Sequence, residues 1–136
     1  MPMEGAIRKL RLLNESAPEP LSLPTSEEVN ALEQKLGVTF QLDFRRYLLE
    51  ASDVCVGTLE PVTALPENAD SFLPNVLEDA RIYGVPKNLL PICEDNSDFY
   101  CLDEDGKVVF WSHNGAGGEK WSDLATWIVE VWIGES

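Results

Sequence analysis

Positive charge is scarce in this sequence. Ten Lys and Arg stand against twenty-four Asp and Glu among 136 residues, a net charge of −14. Nucleic-acid binding depends on cations that displace counterions from phosphates, so a nucleic-acid partner would be repelled. An anionic membrane surface is disfavoured for the same reason. Histidine is nearly absent as well. His113 stands alone, and any histidine-based triad would have to be built on it. There are three cysteines, Cys55, Cys93 and Cys101. They form no C-x-x-C pair, and an odd count makes a poor disulfide framework, so buried reduced thiols of a cytoplasmic protein are expected. No apolar run approaches the roughly 18 residues of a membrane-spanning helix. Residues 1–14 interleave basic residues with Ile7, Leu10 and Leu13 and lack the continuous apolar stretch of a signal peptide. The expected location is therefore the cytoplasm.

What is present fits one globular domain. The hydrophobic share is 44%, and four Trp, three Tyr and five Phe argue against a disordered chain. A chain of this length can bury a core without the help of a metal or disulfides. The acidity is uneven. Residues 60–105 hold eleven Asp and Glu against two Lys and Arg, so they carry −9 of the −14. Such a surface attracts and steers a basic protein partner.

Residues 4–15 read as an amphipathic helix with Ile7, Leu10 and Leu13 on one face. Pro18, Pro20 and Pro24 form a linker. Thr25 with Glu28 is a capping-box pattern opening a second helix, and Gly37 is placed to end it. Asp43 is expected to start a third helix through Ser52. Residues 54–65, rich in β-branched side chains and broken by Gly57 and Pro61, read as one or two short strands. A further helix is predicted over 70–83, interrupted early by Pro74 and closed by Gly84. Residues 89–93, 99–103 and 107–112 are three strands of an antiparallel meander. A polar turn at 94–98 joins the first two, and Glu104-Asp105-Gly106 joins the second and third. The glycine-rich stretch 114–118 ends the meander. Ser122 or Asp123 then starts a last helix with Leu124, Trp127, Ile128 and Val131 on one face. Helices, then strands, then a helix give an α+β fold, a central antiparallel sheet packed with N-terminal, middle and C-terminal helices.

Catalytic and metal chemistry find little support. His113 ends a strand, where a histidine bonded to a neighbouring carboxylate is the ordinary structural case. The carboxylates near 94–98 and 103–105 are those of solvated turns, without the split environments that acid–base pairs need. The 94–98 segment lacks the spacing and later bidentate Glu of an EF-hand. The stretch 114–118 lacks the Lys-Ser/Thr of a phosphate-binding loop. No enzyme activity, metal or cofactor is expected.

A set of pieces does line up in order: Glu28-x3-Leu32-Glu33-x2-Leu36-Gly37, Phe44-Arg45-Arg46-Tyr47-Leu48-Leu49, Leu90-Pro91-Ile92, Asp98-Phe99-Tyr100-Cys101-Leu102-Asp103, Gly106 through His113, and the helix around Leu124-Ala125-Thr126-Trp127. In that combination, over about 25–133, the chain resembles the SUKH superfamily, also called the Smi1/Knr-like family. Residues 1–24 then form an N-terminal helix and linker ahead of a family-like core in a single domain. Two departures are visible: Phe40-Gln41 stands where members usually carry Leu-Pro, and Ala51-Ser52 where they often carry Asn-Gly. The resemblance implies an α+β fold with a central antiparallel sheet. For bacterial members it implies an immunity protein that binds and neutralises a cognate toxin, frequently a nuclease. Eukaryotic relatives look like regulatory interaction modules, the alternative reading. The resemblance carries over no catalytic residues.

A nuclease needs a positive surface, and its inhibitor benefits from a negative one. The expected contacts are therefore Glu94, Asp95, Asp98, Asp103, Glu104 and Asp105 at the two turns. Tyr100, Trp111, His113 and Trp121 are aromatic neighbours that count if exposed. Packing in the core is the alternative for each, and the expected place of Trp127 and Trp132.

Overall fold

The computed structural model of the chain describes residues 1–15, 21–67, 69–115 and 118–135. Pro18 and Pro20 of the linker and Ala116-Gly117 of the glycine-rich stretch lie outside them.

The first helix, α1 (Met3–Leu13), buries Met3, Ala6, Ile7 and Leu10 against the third helix and the last, while Leu13 stays exposed. The capping box of α2 (Ser26–Leu36) is formed as the sequence indicates. The Thr25 hydroxyl accepts from Glu28 N at 3.1 Å, and Thr25 N donates to Glu28 Oε1 at 2.9 Å. Gly37 ends α2 at φ 68°, where a glycine carries no Cβ penalty. Glu33 ties α2 to the third helix and the turn before it, accepting from Phe40 N at 2.7 Å and from Arg45 at 3.0 Å. That helix, α3 (Leu42–Ala51), starts one residue before Asp43 with Gln41 at its N-cap, so Asp43 lies in the first turn rather than capping.

Residues 54–65 do not form strands. They run as an irregular segment with one isolated parallel bridge, Thr63 to Phe72. Their apolar residues respond to burial: Val54, Val56, Val62 and Ala64 lie in the core. A buried loop must place its backbone polar groups elsewhere, and this one does so outside a ladder. Cys55 N donates to Asn14 Oδ1, Val62 N to the Ile92 carbonyl and Thr63 N to the Ser71 carbonyl. The Val56 carbonyl accepts from Trp132 Nε1 at 3.0 Å and the Val62 carbonyl from the Tyr47 hydroxyl at 2.7 Å.

The fourth helix, α4 (Leu73–Tyr83), begins where Pro74 is harmless, in the first turn, and closes at Gly84 with φ 107°. The sheet then forms as a meander in the order β1 (Leu90–Asp95), β2 (Asp98–Leu102), β3 (Val108–Trp111) and β4 (Lys120–Trp121), every neighbour antiparallel. The two-residue β4 is an element the sequence does not announce. Phe99 and Tyr100, consecutive in β2, point to opposite faces. Phe99 packs on Tyr83 of α4, and Tyr100 on Trp127 of α5 (Leu124–Trp127). The sheet is therefore covered on both sides, α4 on one and α5 on the other. Asp123 caps α5 by accepting from Thr126 N at 2.7 Å.

The last helix does not keep one period. Residues 128–132 widen into a π-helical turn, and Ile133 N bonds the Ile128 carbonyl at 2.8 Å. Trp132 is buried, as expected, while Val131, expected on the apolar face, is left only half-buried by the wider turn. Phe44, Tyr47, Trp132 and Trp127 make a continuous series of ring contacts through the core, with centroids 5.9–6.4 Å apart.

Candidate functional site

The sheet order decides how the ten expected contact residues are grouped. Successive turns of a meander lie at opposite ends of the strand between them. The β1–β2 turn and the β2–β3 turn are thus separated by the length of β2, about 16 Å at the usual rise per residue. The six acidic turn residues do not make one surface.

At the β1–β2 end, Asn96 and Ser97 turn the chain with φ 53° and 71°. Glu94 stabilises the turn by accepting from Ser97 N at 2.7 Å, and Asp95 accepts from the Asn96 amide at 3.2 Å. Asp98 faces His113 Nδ1 at 3.0 Å, the carboxylate partner expected of a strand-end histidine. Trp111 is half-buried on Phe99, its ring lying over Gly84. At the other end, Asp103 makes the turn rather than presenting a charge: one carboxylate oxygen accepts from Asp105 N and Lys107 N, both at 2.9 Å. Glu104 and Asp105 are exposed there. Tyr100 and Trp121 form a third group on the α5 face, where Tyr100 sits among Phe110, Trp121 and Trp127. Burial raises the Tyr100 hydroxyl pKa, with the Asp95 charge adding to it. The structure thus brings together Glu94, Asp95, Asp98, Trp111 and His113 at one end of the sheet and sets Asp103, Glu104 and Asp105 at the other, while Tyr100 and Trp121 pack on the α5 face, with the Tyr100 hydroxyl still in reach of the Asp95 charge.

Folding adds residues to the first group that local sequence did not connect with it. A cleft of about 780 Å³ opens between the β1–β2 turn, the start of α4 and the irregular segment before it. Glu60, Asp70 and Asp79 line it together with Glu94 and Asp95, and no Lys or Arg does. Among the described residues, no ion pair engages any of these five carboxylates. The usable sequence signal was the charge density of residues 60–105, a property of the whole segment. Like charges without counterions repel, and a basic partner relieves that repulsion. The carboxylates are spread along the walls. Among the described residues, no group of three or more His, Cys, Asp or Glu is arranged to hold a metal ion.

None of the cysteines lines the cleft, though Cys93 lies directly behind it, its thiol donating to the Glu94 carbonyl at 3.6 Å. Cys93 and Cys101 are fully buried, and burial pushes both thiols up to about 12. The thiolate is the reactive form. Mild alkylation of the native protein at about pH 8 is therefore expected to modify the half-buried Cys55 alone, while the denatured chain takes up label at all three. Intact mass before and after denaturation reads both results.

Among the described residues, no helix is long and apolar enough to cross a membrane. A SUKH-type family model described as SMI1-KNR4 cell-wall matches residues 3–133, beginning inside α1 and so upstream of residue 25. A crystal structure of a protein from Pseudomonas syringae pv. tomato is similar throughout, at 39% identity and a TM-score of 0.89, covering 96% of this chain and 98% of that one. No curated protein matches the sequence. With a family model spanning nearly the whole chain and a close structural likeness over the same length, this chain belongs to the SMI1-KNR4 family of the SUKH superfamily.

Proposed function

We propose that this protein is an immunity protein that acts by binding, holding a basic toxin domain of the nuclease type in the cytoplasm. Family membership supports an immunity-type role. The observation that carries the basic partner is the unpaired acidic cleft at the β1–β2 end. A nuclease surface shaped to hold phosphates presents Lys and Arg, and a wall of carboxylates without counterions offers it the complementary potential. On this reading the protein supplies contacts rather than chemistry. His113 is held by Asp98 at the surface and serves the shape of that surface.

Co-expression with the product of the neighbouring gene tests the reading. A stable complex on co-purification, together with rescue of growth from that product's toxicity, is the expected result. Failure of both would sink the immunity reading and leave a regulatory interaction module in its place.

A further inference from the structure

Helix α4 ends in two large apolar side chains that the core does not take up. Ile82 is 75% exposed and Tyr83 is 45% exposed. Tyr83 is nevertheless fixed in place. Its ring centroid lies 6.1 Å from that of buried Phe99 and 5.7 Å from that of His113, and His113 is itself tied to Asp98. One side of the ring is thus supported from below while nearly half of the residue faces solvent. A rigid, half-exposed tyrosine of this kind offers large contact area at little further entropic cost, as anchoring residues at protein interfaces do.

The charges around it specify the occupant. Asp79 precedes Ile82 and Tyr83 by three and four residues, so it lies beside both on the helix surface. Asp79 also lines the acidic cleft, which makes shelf and cleft one continuous surface. Asp98 stands on the other side, behind His113, with its side chain 22% exposed. The nearest cation in sequence, Arg81, is turned away, donating to the carbonyls of Val85, Pro86 and Leu89. The last turn of α4 adds the negative end of a helix dipole. An aromatic face with carboxylates on two sides suits a guanidinium better than an ammonium. The planar guanidinium can stack on the ring while donating in its own plane to a carboxylate, and it is the more weakly hydrated of the two.

We infer that the Tyr83 shelf, with Ile82 and His113 beside it and Asp79 and Asp98 at its edges, is the anchor point for an arginine side chain of the basic protein partner. This rests on the binding reading above and adds to it a position and a preferred residue. The shelf prefers arginine over lysine, whereas the cleft responds to charge of either kind.

The test uses the full-length chain and two probes, oligoarginine and oligolysine peptides of equal length and charge, titrated at low ionic strength. Affinity is read by calorimetry and position by amide and indole N–H shifts. Oligoarginine is expected to bind about two- to five-fold more tightly than oligolysine, the range of one exposed cation–π contact. Its shifts should centre on Tyr83, His113 and the Trp111 indole. Tyr83→Leu keeps apolar packing on Phe99 and should abolish the preference, bringing oligoarginine affinity down to that of oligolysine. Tyr83→Phe keeps the ring and should retain the preference. Equal affinity for the two peptides, or a preference that survives Tyr83→Leu, would overturn the shelf while leaving a general acidic surface standing. If neither peptide binds, the shelf and the basic-partner reading fall together.

Discussion

Replacing Glu60, Asp79 and Asp95 together by lysine should weaken binding of the basic partner on the order of 100-fold, mostly through the association rate. All three side chains line the cleft at the β1–β2 end. Among the described residues none takes part in an intramolecular ion pair, and the one side-chain bond lost is that from the Asn96 amide to Asp95. The fold should therefore be unaffected, and removing mutual repulsion should leave stability equal or slightly higher. The matching control is Glu104→Lys with Asp105→Lys at the opposite end of β2. Those positions lie about 16 Å away, beyond the roughly 8 Å over which exposed charges act at physiological salt. Their reversal should cost only a few-fold, and less as salt rises. Surface plasmon resonance at two ionic strengths separates the cases. Equal losses from the two variants would mean that only net charge matters and that the cleft has no special place.

Trp132→Ala should destabilise the protein by about 3–5 kcal/mol, the usual range for removing a large buried aromatic side chain. That is a large share of the roughly 5–15 kcal/mol that holds a domain of this kind together. Trp132 does three things at once. It fills the core beside Trp127, stacks edge-on against Tyr47 with centroids 5.9 Å apart, and donates its indole N–H to the Val56 carbonyl. The last contact is one of those that replace a strand ladder in residues 54–65, so its loss should loosen the segment leading into the cleft. A second pair of variants isolates the hydrogen bond. Trp132→Phe leaves the Val56 carbonyl without its donor. Trp127→Phe removes an indole N–H that has no acceptor among the described residues. The two changes delete similar ring area, yet Trp132→Phe should cost more by about 1–3 kcal/mol, the penalty of an orphaned buried polar group. Urea titration of both variants measures the difference. Equal costs would show that the bond to Val56 contributes nothing.

Both predictions depend on elements that were legible in the sequence to different degrees. The capping box at Thr25 and Glu28, the stops at Gly37 and Gly84, and the turn residues of the meander act over a few residues of chain. Their chemistry is written where it operates, and the α+β order could be read directly from it. The family resemblance rests on the same kind of local pieces, which is why it could be stated from residue order. The strand expectation for 54–65 shows the limit. β-branched residues there mark burial, and burial can be reached in a loop when distant donors such as Trp132 and Tyr47 satisfy its carbonyls. The partial exposure of Val131 in the last helix, beside a Trp132 buried as expected, is similar. A π-helical turn changes which residue faces the core, and the indole needed Val56, 76 residues away in sequence, as its acceptor.

By itself the sequence determined the charge, its concentration between residues 60 and 105, the order of the helices and of the first three strands of the sheet, and the family. It also pointed to both acidic turns, because composition is additive along the chain and needs no coordinates. Only the tertiary structure could decide which charges share a surface. Strand pairing sends consecutive turns to opposite ends of the sheet, which separates Glu104 and Asp105 from Glu94 and Asp95. Packing of α4 and of the irregular segment before it against the sheet brings Glu60, Asp70, Asp79 and Tyr83 to the end where Asp95 and His113 lie. Electrostatic potential depends on distance through space, and sequence separation does not report that distance.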